Sequence, residues 1–440
     1  MSVDAYRRIW AIAAVMVAVM SLPATATGEP GDGLKAGDVT LVPKLTLSGG
    51  YDSNVFRLAE DEYDGFTDDG AAKGSITPAL SIISPEDRFF VFTLDSSVTW
   101  EQYFGSNETI RSQSGLSTDI GLGASLNSSG NFSLSLDESF ERRNEPPPAP
   151  RRSAYNRYIN RLGAAFGIHP GSRIVEAKLD YEWGRFWHET DELQILDRSE
   201  HRFGLNTRYN FLPKTGIYLD ASYTLIRYDQ ETSATPPSAT EAVTNVNSQP
   251  LRLTAGVGGL ITQRLSVKAG MGYGWSFHDE GEQFRGLIGT AAVGYAYGRL
   301  DLDNMLQLGY RRSFEDFSLG NFYTDHRMFL NWRQGLAENR LSLNAEVAFS
   351  IRDYSFDPET VDGLTRTNGE GFEDQLLSAG AGIDYDITDW WALGADYDLH
   401  MNLTDEEFLF GDPTTPAEPS IPVLRRYMQH QVFVSTTLRY

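Results

Sequence analysis

Apolar side chains recur at every second position in about eighteen separate segments of this 440-residue chain, and beyond the first two dozen residues no long run is apolar throughout. Period-two alternation places one set of side chains on each face of a β-strand. The clearest segment sets Trp391, Leu393, Ala395, Tyr397, Leu399 and Met401 against Ala392, Gly394, Asp396, Asp398, His400 and Asn402. Leu265, Val267, Ala269, Met271, Tyr273 and Trp275 alternate in the same way with Ser266, Lys268 and a series of glycines. One face tolerates lipid and the other water. A soluble sandwich alternates too, so the pattern alone selects β-structure and leaves its surroundings open.

Connection lengths narrow the choice. Short connections at 85–87, 127–130, 169–172, 212–214, 262–263, 298–299, 335–339 and 388–389 alternate with longer ones at 53–71, 104–109, 143–153, 188–197, 229–245, 278–282, 313–321, 354–373 and 404–423. Eight short and nine long connections imply about eighteen strands. Short periplasmic turns, long outer loops and an even strand number describe a bacterial transmembrane barrel, whose closure satisfies every backbone donor and acceptor between strands. The predicted fold is therefore all-β, a closed antiparallel transmembrane β-barrel. Aromatic residues form two belts: Trp100, Trp183, Tyr223, Trp275, Tyr310 and Tyr397 toward the long loops, and Phe90, Phe166, Phe211, Tyr295, Trp332, Trp391 and Tyr440 toward the short turns.

At the N-terminus, Arg7 and Arg8 precede an apolar run from Ile9 to Leu22, then Pro23 and Ala24-Thr25-Ala26. This pattern predicts a signal peptide over 1–26, a short periplasmic leader over 27–39 and the barrel over 40–440. The apolar run is shorter than the roughly 20 residues of a helical span. With no cysteine, neither a lipid on a new N-terminus nor a disulfide is available. Removing 1–26 takes Asp4, Arg7 and Arg8 from totals of 60 acidic and 37 basic groups, leaving 59 and 35. A net charge of −24 argues against nucleic acid as a partner. It fits an envelope protein facing outer-membrane lipid and lipopolysaccharide, with acidic loops that could recruit divalent cations.

The wet face carries the candidate functional residues. Lumen-lining positions are Asp95, Asp119, Asp137, Asp180, Asp220, Lys268, Asp303, Arg311, Glu346, Asp384, Asp386, Asp396, Asp398 and His400. An eighteen-stranded barrel is wide enough for an aqueous channel unless something plugs it, and an acidic majority disfavours anions. The alternative is that these charges pair across strands and select nothing. The seven histidines have no metal-like spacing and no nucleophile motif appears, so neither catalysis, a metal nor a cofactor is expected. An acidic loop segment with Glu60, Asp61, Glu62, Asp64, Asp68 and Asp69 lacks the ordered spacing of a calcium loop. The stretch Glu145-Pro146-Pro147-Pro148-Ala149-Pro150 favours extended polyproline geometry.

Two segments carry resemblances. The closing stripe Val434, Thr436, Leu438 and Tyr440 resembles the C-terminal signal by which outer-membrane barrels are recognised for insertion, which implies the barrel-assembly machinery as a partner. The opening Gly50-Tyr51-Asp52-Ser53-Asn54-Val55 resembles that of the outer-membrane β-barrel porin family associated with exopolysaccharide and capsule loci, and the chain also resembles eighteen-stranded polysaccharide-secretion barrels. That resemblance implies export of a surface polysaccharide, with a periplasmic polysaccharide-export protein docked beneath the barrel. A small-solute diffusion porin and a structural or adhesive barrel are the alternatives. Trimeric diffusion porins fold their third outer loop inward, whereas the corresponding 143–153 segment here is short and proline-rich.

Overall fold

Alternation over 12 to 17 residues at a time gives strands long enough to cross a bilayer obliquely and project beyond it. In the computed structural model the wall has eighteen of them: β1 (Val39–Asp52), β2 (Ala71–Ile83), β3 (Phe90–Phe104), β4 (Gly115–Leu126), β5 (Phe132–Arg143), β6 (Arg157–Ile168), β7 (Val175–His188), β8 (Arg198–Leu212), β9 (Thr215–Tyr228), β10 (Ser248–Leu260), β11 (Leu265–His278), β12 (Arg285–Ala296), β13 (Met305–Asp316), β14 (Phe322–Leu336), β15 (Leu341–Ser355), β16 (Phe372–Thr388), β17 (Trp391–Asn402) and β18 (Tyr427–Arg439). The structure describes residues 31–57, 70–86, 88–105, 107–144, 156–170, 174–190, 194, 196–229, 246–279, 281–299, 301–316, 321–355, 372–404, 407–410, 421–424 and 426–440. The predicted signal peptide, the acidic stretch 60–69 and the proline stretch 145–150 lie outside them.

Each strand pairs antiparallel with its chain neighbours, and β18 returns to β1 in the register Lys44↔Arg439 through Asp52↔Gln431. Closure removes the unpaired edge that an open sheet would present to lipid. The Tyr440 amide donates to the Pro43 carbonyl oxygen at 3.1 Å, so the last residue is tied to the first strand. Within the predicted leader, Leu34–Ala36 folds back on Val39–Leu41 as a small hairpin. Gly37, with φ of 66°, supplies the left-handed backbone that this tight turn needs.

The register sorts side chains cleanly. Leu179, Leu219, Met271, Leu308, Met328 and Val434 all stand exposed on the outer face, where lipid covers them. Both predicted aromatic belts lie on that face, as in the register partners Trp100↔Leu116 and Phe166↔Leu179. The inward positions of β11, Ser266, Lys268, Gly270, Gly272, Gly274 and Ser276, are polar or small. A Cβ at Gly270 would sit 1.9 Å from the Tyr218 hydroxyl, so glycine lets that phenol lie across the inner wall.

Candidate functional site: the lumen wall and its outer mouth

Successive register partners place Asp95, Asp119, Asp137, Asp180 and Asp220 on one face of β3, β4, β5, β7 and β9. Local partners hold several of them. The Ser81 hydroxyl donates to Asp95 at 2.6 Å and the Asn206 amide to Asp180 at 2.7 Å. Lys268 reaches over the Tyr218 ring at 5.7 Å. With Asp220, Lys178 and Arg208 it borders a cavity of about 870 Å³ toward the short-turn end.

A second cavity, about 470 Å³, lies against β14–β18 and brings together Glu346, Asp398 and His400 with Arg57, Arg327 and Arg352. Arg327 pairs with Glu346 at 3.1 Å, while Arg352 and Arg311 flank Asp325 at 3.4 and 3.8 Å. Asp384, Asp386 and Asp396 continue the same inner face on β16 and β17, and Asp386 pairs with Arg439.

Asp303 borders the lumen, as the inward parity of its partner Arg333 shows, but from a turn and not from a strand. It sits in the turn before β13, paired at 3.4 Å with Arg333 and 61% exposed, because β13 begins at Met305. Periodicity carried across that turn counts Asp303 as wall. Arg57 and Arg327 are residues of the inner face that sequence reasoning passed over. Arg57 belongs to a loop, outside any strand parity. Arg327 shares the inward parity of Arg311, its register partner, and that alternation could have found it.

The outer mouth is narrowed by two segments that no periodicity announces. Val55 and Phe56 after β1, and Ile110 on the five-residue helix α1 (Glu108–Ser112), pack against Ala71 and Tyr103 at the outer ends of β2 and β3. Tyr103 shares the inward parity of Glu101, so this cluster covers the inner wall. Beneath it Asp52, 2% exposed, accepts from Gln429 Nε2 at 2.9 and 3.0 Å, from Gln431 Nε2 at 2.7 Å and from the Asn54 amide at 3.0 Å.

On the other side, β13 leaves β12 above the pair Gly289↔Arg312 while staying paired with β14 to its tip. Strict alternation would point Phe314 and Asp316 outward. Instead Phe314 is fully buried, stacked on Phe284 at 4.2 Å and facing Gly274 of the inner wall. Asp316 accepts from Ser276 Oγ at 3.1 Å and also takes the Ser248 hydroxyl. The β13–β14 tip is therefore swung inward like a door hinged on its β15 side, with its back against β10–β12. Above the wall, Asp229 is held below the ordinary carboxylate range by its 2.7 Å bond from Arg185. Burial pushes Glu189 up, but two bonds from Arg142 at 2.8 and 3.0 Å, with further donors, outweigh it and hold the carboxyl low.

A family model described as Putative beta-barrel porin 2 matches residues 29–405. The chain belongs to that family. It is an outer-membrane, porin-like barrel of a Gram-negative bacterium. Among solved structures it is similar to OpdQ of Pseudomonas aeruginosa, at 12% identity and a TM-score of 0.45, over 91% of this chain and 98% of that one. OccK5 (OpdH) of the same organism gives 10% and 0.43 over 91% and 98%. The siderophore receptor PirA of Pseudomonas aeruginosa gives 8% and 0.44 over 94% and 81%. No curated protein sequence matches the chain.

Proposed function

We propose that this barrel conducts a secreted surface polysaccharide through a hydrated lumen. The observation that supports it is a stripe of hydroxyls along the inner wall at the β18–β1–β2–β3 seam. Thr46 meets Thr437 at 3.0 Å, Ser48 meets Ser75 at 2.7 Å, and Thr77 meets Thr99 at 2.9 Å. Hydroxyl pairs donate and accept interchangeably, so a sugar chain sliding past exchanges such bonds for equivalent ones with water at little net cost. Movement of a polymer needs many weak contacts and no tight site. This reading includes a periplasmic polysaccharide-export protein delivering the polymer beneath the short turns.

A deletion strain tests the proposal. Loss of surface polysaccharide while synthesis continues, restored by the intact gene, is the expected result, and unchanged secretion would sink it. The second reading is a diffusion porin for small solutes, favoured by the inward segments at the mouth. It predicts impaired uptake of a solute in the deletion strain with secretion intact.

A further inference from the structure

Three of the seven histidines share one arrangement on the lipid-facing wall. Tyr181 meets His201, Tyr310 meets His326 and Tyr397 meets His430, each phenol oxygen 2.9 Å from the imidazole Nδ1. The histidines stand three to four residues inside the outer ends of β8, β14 and β18. Below them the face is apolar, with Leu179, Met328 and Val432 exposed to lipid. Above the first pair, Arg185 and Arg227 bind Asp229 and Asp279. The pairs thus mark the upper border of the hydrocarbon, where Tyr belts belong.

A phenol that donates to Nδ1 leaves the imidazole proton on Nε2. No hydrogen bond holds Nε2 of these three rings among the described residues. The second pair differs from the others in one respect. Arg312 stands directly opposite His326 in the register, whereas His201 faces Trp183 and His430 faces Leu399. The Arg312 Nε is buried and has no hydrogen-bond acceptor among the described residues. The residue as a whole is only half-buried and has no hydrogen-bond or ion-pair partner among the described residues, so its terminal N–H groups, with the neighbouring imidazole N–H at the headgroup level, call for an anionic oxygen.

We propose that Tyr310, Arg312 and His326 form a site for a phosphate group of a phosphorylated glycolipid in the outer leaflet. Arg312 supplies the charge and the forked donors that suit phosphate. His326, oriented by Tyr310, supplies a third donor. The inference rests on the outer-membrane location and is independent of the cargo.

The full-length barrel in detergent, titrated with a bis-phosphorylated glucosamine-disaccharide lipid and with its dephosphorylated form, tests this by native mass spectrometry. The phosphorylated lipid should bind about tenfold more tightly than the dephosphorylated one. Arg312→Gln and His326→Phe should each remove most of that difference, and His430→Phe none of it. Inorganic phosphate at equal concentration should not displace the lipid. Equal binding of the two lipids, an undiminished difference in both site variants, the same loss in His430→Phe, or displacement by inorganic phosphate would each overturn the proposal. Tyr310→Phe, which keeps the ring and its packing, covers the case in which a site variant fails to fold. It should weaken phosphorylated-lipid binding roughly threefold, and an unchanged affinity counts against the site.

Discussion

Arg252 of β10 holds its guanidinium 4.2 Å from the centre of the Phe314 ring and donates to the Phe314 carbonyl oxygen at 2.7 Å. One side chain of the wall thereby grips the tip of a hairpin that has left its own place in that wall. The grip is reinforced by Glu315, 3.2 Å from the same guanidinium, and by Phe284 and Phe322 packed edge to face at 5.3 Å.

Releasing that grip should open the mouth. Phe314→Ala removes a fully buried ring, which costs about 3–5 kcal/mol at such sites, here levied on the docked tip and not on the barrel. Single-channel conductance in planar bilayers should rise for Phe314→Ala and for Asp316→Ala, with the heat-modifiable gel shift of the folded barrel kept. Unchanged conductance in both would mean that the door does not limit flow.

The seam should respond differently. Asp52 receives four hydrogen bonds at the junction of β1 with β18, so Asp52→Ala leaves the buried Gln429 amide with the Asn54 carbonyl alone and takes the acceptor from the half-buried Gln431 amide. A loss of roughly 2–4 kcal/mol is expected. It is read as a lower temperature for the conversion from folded to unfolded mobility on a gel, and a shift within error contradicts it.

Acidification should loosen the rim at Glu189. Its carboxyl is held below the ordinary glutamate range, so its contribution is complete above that range and is lost as pH falls through the lowered value. Hydrogen exchange at the Glu189 amide, which bonds the Asn156 carbonyl at 3.0 Å, should accelerate relative to its intrinsic rate over that acid window. Glu189→Gln should be loosened already at neutral pH, by about 1–3 kcal/mol, and should show no further change.

Much of this architecture was legible because its cause is periodic. Trp391 to Met401 and Leu265 to Trp275 declare their lipid faces by alternation, and the short and long connections declare the strand count and both sides of the membrane. What stayed hidden is aperiodic. Phe314 sits at a position that parity assigns to lipid and is buried only because β13 parts from β12 above Arg312. Leu302 between Asp301 and Asp303 continues the strand alternation and so hides the turn that holds Asp303. Val55, Phe56 and Ile110 are loop residues whose partners lie on separate strands.

The acidic inner face of β16 and β17 carries a prediction about ions. Asp384, Asp396 and Asp398 lie on adjacent strands in the register Asp384↔Gly394, Gly382↔Asp396 and Gly380↔Asp398. Under a potassium chloride gradient the reversal potential should show cation preference. The triple Asp384→Asn, Asp396→Asn, Asp398→Asn variant should move it toward zero, while an anion-preferring native barrel would contradict the prediction.

The most direct measurement on the central claim is single-channel recording of the purified barrel with neutral oligosaccharides of increasing length added to one side. A hydrated, hydroxyl-lined conduit predicts stable ionic conductance and reversible, length-dependent interruptions of current as the sugar chains enter. A barrel that conducts no ions, or whose current is indifferent to every oligosaccharide tested, contradicts it.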